Sequence, residues 1–143
     1  MKNYLFIIAA LISFNSFAQD AVILSSESSY ETIGEVNWGP MYVADLTKFS
    51  DDTYTLSYQD AKYRTTTAIK EVDMSSSAVE SLYETMMKVL PGTEDVTIVI
   101  GNKMLSVSSF KKKKSIMITI LDEYEISSFF TLRAKDINKL FGK

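Results

Sequence analysis

Carboxylates, lysines, tyrosines and aliphatic hydroxyls are the groups with which this chain could do acid–base or nucleophilic chemistry, because it contains no histidine and no cysteine. That composition removes Ser-His-Asp and Cys-His nucleophilic sites. It also removes zinc sites built from thiolates and imidazoles, and haem or iron–sulfur sites with their usual ligands. Neither a phosphate-binding loop nor a dinucleotide fingerprint occurs. No cofactor and no metal are expected, and an enzyme would have to work with what remains.

Paired carboxylates could serve a glycan hydrolase, one as acid and one as base or nucleophile. The pairs available are Asp51-Asp52, Glu94-Asp95 and the group Asp122, Glu123 and Glu125. Each falls where a turn or a strand end is expected, and solvated acidic residues are ordinary there. The last group could offer oxygen ligands to calcium, but it lacks the spacing of a calcium loop. These residues are therefore read as turn chemistry.

Two sets of residues remain as candidates for binding. Lys111, Lys112, Lys113 and Lys114 form a run of four ammonium groups at the tip of an expected hairpin. Such a tip can dock on phosphates or on an acidic partner, and it can equally keep an apolar hairpin soluble and protect its edges. The second set is aromatic: Trp38, Tyr42, Tyr58 and Tyr63, with Tyr54 nearby. Amphipathic rings on an exposed sheet stack on sugars or fill a partner's pocket. Tyr54, Leu56 and Tyr58 at period two also fit a half-buried core face. Trp38 stands apart because it precedes a Gly39-Pro40 turn.

The element best able to position these groups runs from Asp95 to Leu121. Gly101-Asn102 is a two-residue hairpin signal between two β-rich runs. It sets Val99 opposite Met104, Ile98 opposite Leu105 and Val96 opposite Val107. A second turn at Lys112-Lys113 pairs Phe110 with Ser115, Val107 with Ile118 and Leu105 with Ile120. Alternation then gathers Val96, Ile98, Leu105, Val107, Ile116, Ile118 and Ile120 on one face. Thr97, Ser106, Ser108 and Thr119 share the other with Val99, Met104, Met117 and Leu121. A one-residue slip would destroy the segregation.

Strands are also expected at Met41–Lys48, Thr53–Tyr58 and the Thr-rich run Arg64–Met74. A helix should follow from Ser77 to Leu90, opened by a capping box of Ser77 and Glu80 and carrying Val79, Leu82, Tyr83, Met86, Val89 and Leu90 on one face. Met87 belongs near the edge of that face. Ile126–Thr131 reads as a further strand whose two phenylalanines leave its orientation open. Leu132–Phe141 reads as a last helix, with Gly142 as its C-terminal cap. The order strands, helix, strands, helix predicts an α+β fold: one antiparallel sheet of about six to seven strands with two helices packed on one face. The halves share a plan without residue-level similarity.

Residues 1–18 read as a secretory signal peptide, from Lys2, the apolar run Tyr4–Phe14 and the Ser16-Phe17-Ala18 cleavage site. Export to the periplasm or the medium is the expected localisation. No cysteine stands at that site to carry a lipid, and no later run is long enough for a transmembrane segment. Of 15 basic residues one, Lys2, lies in the leader, so the remainder sets 14 against 18 acidic ones and is mildly acidic. That balance argues against nucleic acid as a partner. Residues 19–40 read as an N-terminal segment, partly flexible, and 41–143 as a single α+β domain held by packing alone. The expected function is an exported, non-enzymatic binding or interaction domain whose partner is a protein or an envelope glycan. The alternatives are a small carboxylate-dependent glycan hydrolase and a carrier of an apolar small ligand.

Overall fold

Glycine at a positive φ opens two of the tight hairpins. Gly39 (φ +63°) joins β1 (Tyr30–Trp38) to β2 (Met41–Phe49), and Gly101 (φ +61°) joins β5 (Val96–Ile100) to β6 (Lys103–Phe110). In each, the residue after glycine keeps a negative φ, the pattern of a II′ turn, whose twist matches that of the flanking strands. A computed structural model describes residues 29–63, 65–92, 94–110, 114–123 and 125–143. The signal-peptide reading and residues 19–28 lie outside the described residues.

Around these hairpins the chain builds the same unit twice. β1, β2, β3 (Thr53–Gln59) and β4 (Ile69–Ser75) form one four-stranded antiparallel meander, followed by helix α1 (Ser76–Val89). β5, β6, β7 (Ser115–Asp122) and β8 (Glu125–Arg133) form a second, followed by helix α2 (Ala134–Phe141). The fold is α+β, but the single sheet of six to seven strands is replaced by two sheets of four. A continuous meander would require β4 to pair with β5. Helix α1 and the turn after it separate them instead, and β5 pairs with β6.

Between β5, β6 and β7 the register is the expected one, from Val96↔Val107 and Val99↔Met104 to Phe110↔Ser115 and Leu105↔Ile120. Its apolar face is core: Leu105, Val107, Ile116 and Ile118 are fully buried, and Val96 and Ile98 pack against them. Pairing of Ile118 with Phe130 settles the orientation of β8, turning Ser128, Phe130 and Leu132 inward and Phe129 outward. In the first sheet Val36, Ala44, Leu46, Leu56, Tyr58 and Val72 form the matching face. The two faces meet where the Tyr58 ring stacks on Phe130 at 4.8 Å.

Each helix packs against strands of the other unit. Helix α1 rests on β5 and β6 as well as β3 and β4, and α2 lies mainly on β1 and also touches β2, β8 and α1. The helices thus join both sheets into one core rather than cover one face of a single sheet. Gly34 in β1 makes the α2 contact possible, since a Cβ there would overlap the carbonyl oxygens of Lys139 and Leu140. The α2 cap is Gly142 at φ +64°, as expected. The α1 cap differs: Ser75, not Ser77, accepts the amide of Ala78 at 3.3 Å, and the Ser77 hydroxyl bonds to Ser75. Strand β1 occupies much of the stretch read as a flexible N-terminal segment, and it pairs with β2 along its length.

Candidate binding groove

Strands β2 and β3 are in register from Lys48↔Tyr54 to Ala44↔Tyr58, and beyond that point they part. The cause is local. Val36 opposes Ala44 while Asn37 opposes Tyr42, so Val43 is an extra residue, a β-bulge that bends β2 away. The gap is closed by a short 3₁₀ turn at Ala61–Tyr63 and the loop after it, and from the other unit by β8. The result is an open groove of about 290 Å³. Its apolar walls are Trp38, Pro40, Met41, Val43, Ala61 and Phe130. Tyr42, Gln59, Thr65, Thr66, Thr67 and Thr131 provide the polar groups, and none of the lining residues among those described is charged.

Trp38 is fixed by residues nearly a hundred positions away. Its indole Nε1 donates to Asp136 Oδ2 at 2.9 Å, and the Arg133 guanidinium lies 4.9 Å above its ring. Arg133 Nε and Nη2 bind the same carboxylate at 2.6 and 3.3 Å. Asp136 is buried, which alone would raise its pKa, yet the hydrogen bonds from Arg133 and Trp38 hold it below the ordinary aspartate value. One face of the ring is thereby engaged by a cation, and the ring is held half-buried at the groove.

Tyr42 donates its hydroxyl proton to Asp45 Oδ2 at 2.7 Å. Burial first, then the bond to Asp45 and its negative charge, push the phenol far above its ordinary pKa, so it is neutral at any physiological pH. The 61–68 loop is tied down from below. Gln59 Nε2 donates to the carbonyls of Thr66, Asp60 and Tyr63 at 3.2–3.5 Å. The buried Asp60 carboxylate accepts the amides of Lys62 (3.1 Å) and Phe129 (3.4 Å), linking the loop to β8.

The structure brings two of the sequence-derived candidates, Trp38 and Tyr42, into one groove. Tyr63 is exposed on the 3₁₀ turn beside it, with Lys62 Nζ 5.9 Å from its ring centre. Tyr58 is buried; its ring supports Phe130 and its hydroxyl bonds to Ser128 at 2.7 Å. Lys114 is exposed, whereas Lys111, Lys112 and Lys113 lie outside the described residues. Sequence reasoning missed Phe130, Thr131 and the three threonines. The Thr run was read as the start of a strand from Arg64, but β4 begins at Ile69, because the anchored loop overrides the β preference of threonine.

The acidic pairs act in turns. Asp51 accepts the Thr53 hydroxyl and amide at 2.6 and 3.0 Å, bonds that lower its pKa. Asp52 pairs with Lys48 at 2.9 Å, and Asp122 lies 3.7 Å from Lys103. Glu94, Asp95 and Glu123 are exposed. Among the described residues no group of three or more acidic side chains is placed to hold a metal ion, and no helix is long and apolar enough to cross a membrane. Comparison of the chain with protein-family models, with curated proteins and with solved structures yields no match.

Proposed function

We propose that the chain is an exported, non-catalytic binding domain and that the groove beside Trp38 holds one or two units of a neutral glycan. The observation that carries this reading is that the described lining residues are uncharged and combine aromatic and aliphatic surface with hydroxyl and amide groups. A sugar presents the complementary pattern, apolar C–H faces bordered by hydroxyls. Among the described lining residues a charged ligand would find no side chain of opposite charge. The volume of about 290 Å³ lies at the lower end of the range for ligand pockets, suited to a short segment of a longer chain. Export rests on the leader-like pattern of residues 1–18.

Trp38 is the only tryptophan, so its fluorescence reports on the groove without a label. Titration of the chain starting at Gln19 with neutral oligosaccharides should give a saturable change in emission. Tyr42→Ala should abolish it without unfolding the domain. A flat titration across neutral oligosaccharides, or an unchanged response in Tyr42→Ala, would remove the glycan reading. Shortened oligosaccharide after prolonged incubation would replace binding with hydrolysis.

A further inference from the structure

Two four-stranded sheets have four edge strands, and three of these edges are occupied. Strand β1 is interrupted by two irregularities of register and carries α2. In β4 the Glu71 carbonyl accepts Lys103 Nζ at 2.7 Å, across a cleft of about 240 Å³ between the two units. In β8 the Phe129 amide donates to Asp60 Oδ1 at 3.4 Å, and the 3₁₀ turn packs on the strand. Bulges, charged neighbours and covering elements are the usual means of closing an edge.

Strand β5 has none of them. Its sequence, VTIVI, is uncharged and β-branched at every position, without proline, glycine or bulge. Ile100 and Lys103 flank the two-residue turn and bond to each other, so alternation assigns Val96, Ile98 and Ile100 to β6. The N–H and C=O of Thr97 and Val99 therefore face the open side, where no strand pairs with β5 among the described residues. Beside Ile98, Val99 and Ile100 the helix α1 presents small side chains, Ser77, Ala78 and Ser81, and an open depression of about 240 Å³ remains there.

We propose that β5 pairs antiparallel with β5 of a second copy of this chain, about a two-fold axis at Val99, to make one continuous eight-stranded sheet. The outer face says why the occupant is a second copy. Leu121, Met104 and Val99 lie opposite one another across three strands and are 39, 44 and 69 % exposed, increasingly so toward the edge. Of the registers that oppose outward-facing residues, the one centred on Val99 joins this row end to end with its copy. Val99 then exchanges both backbone bonds with Val99 of the other copy, and each side chain gains an apolar neighbour. The exposed Asp95 carboxylates of the two copies fall about 27 Å apart along the pair, beyond the Debye length of about 8 Å, so the acidic strand ends do not oppose it. A five-residue edge and one row of side chains place the contact below the roughly 1,200 Å² of standard interfaces. The dimer is accordingly weak and reversible.

The test is sedimentation equilibrium of the chain from Gln19 at concentrations up to about 1 mM. The mass should rise from one chain to two. Val99→Lys sets two ammonium groups opposite each other at the axis and should hold the chain monomeric, with Tm unchanged because the side chain is exposed. Val99→Thr keeps a β-branched strand and should retain the dimer. Should Val99→Lys fold poorly, Thr97→Lys on the same open side takes its place. The chain has no cysteine, so a nitroxide on Asp95→Cys reads the register, with the labelled positions about 27 Å apart in the dimer. A monomer at every concentration overturns the proposal, as does a dimer that survives both lysine variants or a label distance far from that value. A monomer in which the Thr97 and Val99 amides resist hydrogen exchange assigns the edge to another segment of the same chain, and overturns the second copy.

Discussion

The groove beside Trp38 and the cleft beside Lys103 occupy corresponding places in the two units but differ in lining: the described residues of the first are uncharged, whereas the second holds charged residues of both signs. Each uses the first residue after a Gly-opened hairpin turn, Met41 in one and Lys103 in the other. Each is completed by the last strand of the opposite unit, Phe130 and Thr131 of β8 or Lys70 and Glu71 of β4. The connections differ, however. β3 and β4 are joined by a long loop that adds Ala61 and three threonines to the groove, whereas β7 and β8 are joined by a tight turn whose edge residue Asp122 lies in the cleft. A repeated architecture thus fixes where a depression forms, while strand-end residues and loop length decide what it can hold.

The largest effect should come from the residue that stands between groove and cleft. Phe130→Ala removes a wall of the groove and the ring stacked on Tyr58, and core Phe→Ala truncations cost about 3–5 kcal/mol. Denaturant unfolding should show that loss, and the oligosaccharide response of the groove should weaken with it.

Next is Asp136→Asn, which replaces the carboxylate serving Trp38 and Arg133. A loss of about 2 kcal/mol at pH 7 is expected for charge-assisted bonds to a buried group. The Trp38 emission should shift, because the indole loses its carboxylate partner. The sign of its pH dependence follows from the depressed pKa of Asp136. The contribution is complete above the unfolded-state value near about 4 and disappears as pH falls through the lower folded-state value. Wild type and variant should therefore converge in stability under strongly acidic conditions, as acid titration followed by circular dichroism would show.

The smallest effect belongs to Tyr42→Phe, which keeps the ring and deletes one hydroxyl bond. A cost of about 1 kcal/mol is expected, with the glycan response retained. Retention in Phe with loss in Ala would assign the binding role to ring surface, whereas loss in both would assign it to the hydroxyl.

Much of the second sheet was legible because its information is local. Two turns, each specified by a few residues, lock a period-two pattern into one register, and the apolar face follows. Strand β1 was not legible for a reason visible in its pairing. Irregularities between Thr32 and Gly34 and between Val36 and Asn37 interrupt the alternation that would mark a strand. The inward side of β8 was equally hidden, since Phe129 and Phe130 are chemically alike and only pairing with Thr119 and Ile118 distinguishes them. In the groove, Trp38 and Tyr42 could be singled out by type and by the nearby turn. Phe130, Thr131 and the Asp136–Arg133 support could not, because nothing in the chain near Trp38 refers to residues so distant.

The sequence alone determined the chemistry excluded by the lack of histidine and cysteine, the register that joins β5, β6 and β7, and the apolar face of the first helix. These depend on neighbours within a turn or a hairpin. Tertiary structure decided that eight strands divide into two sheets, that each helix crosses to the other unit, and which strand ends face each other across a groove. Those choices rest on burial shared among residues far apart in the chain, as when Gly34 admits the carbonyls of α2 or Tyr58 meets Phe130. A local pattern states that a face must be buried; it does not state against what.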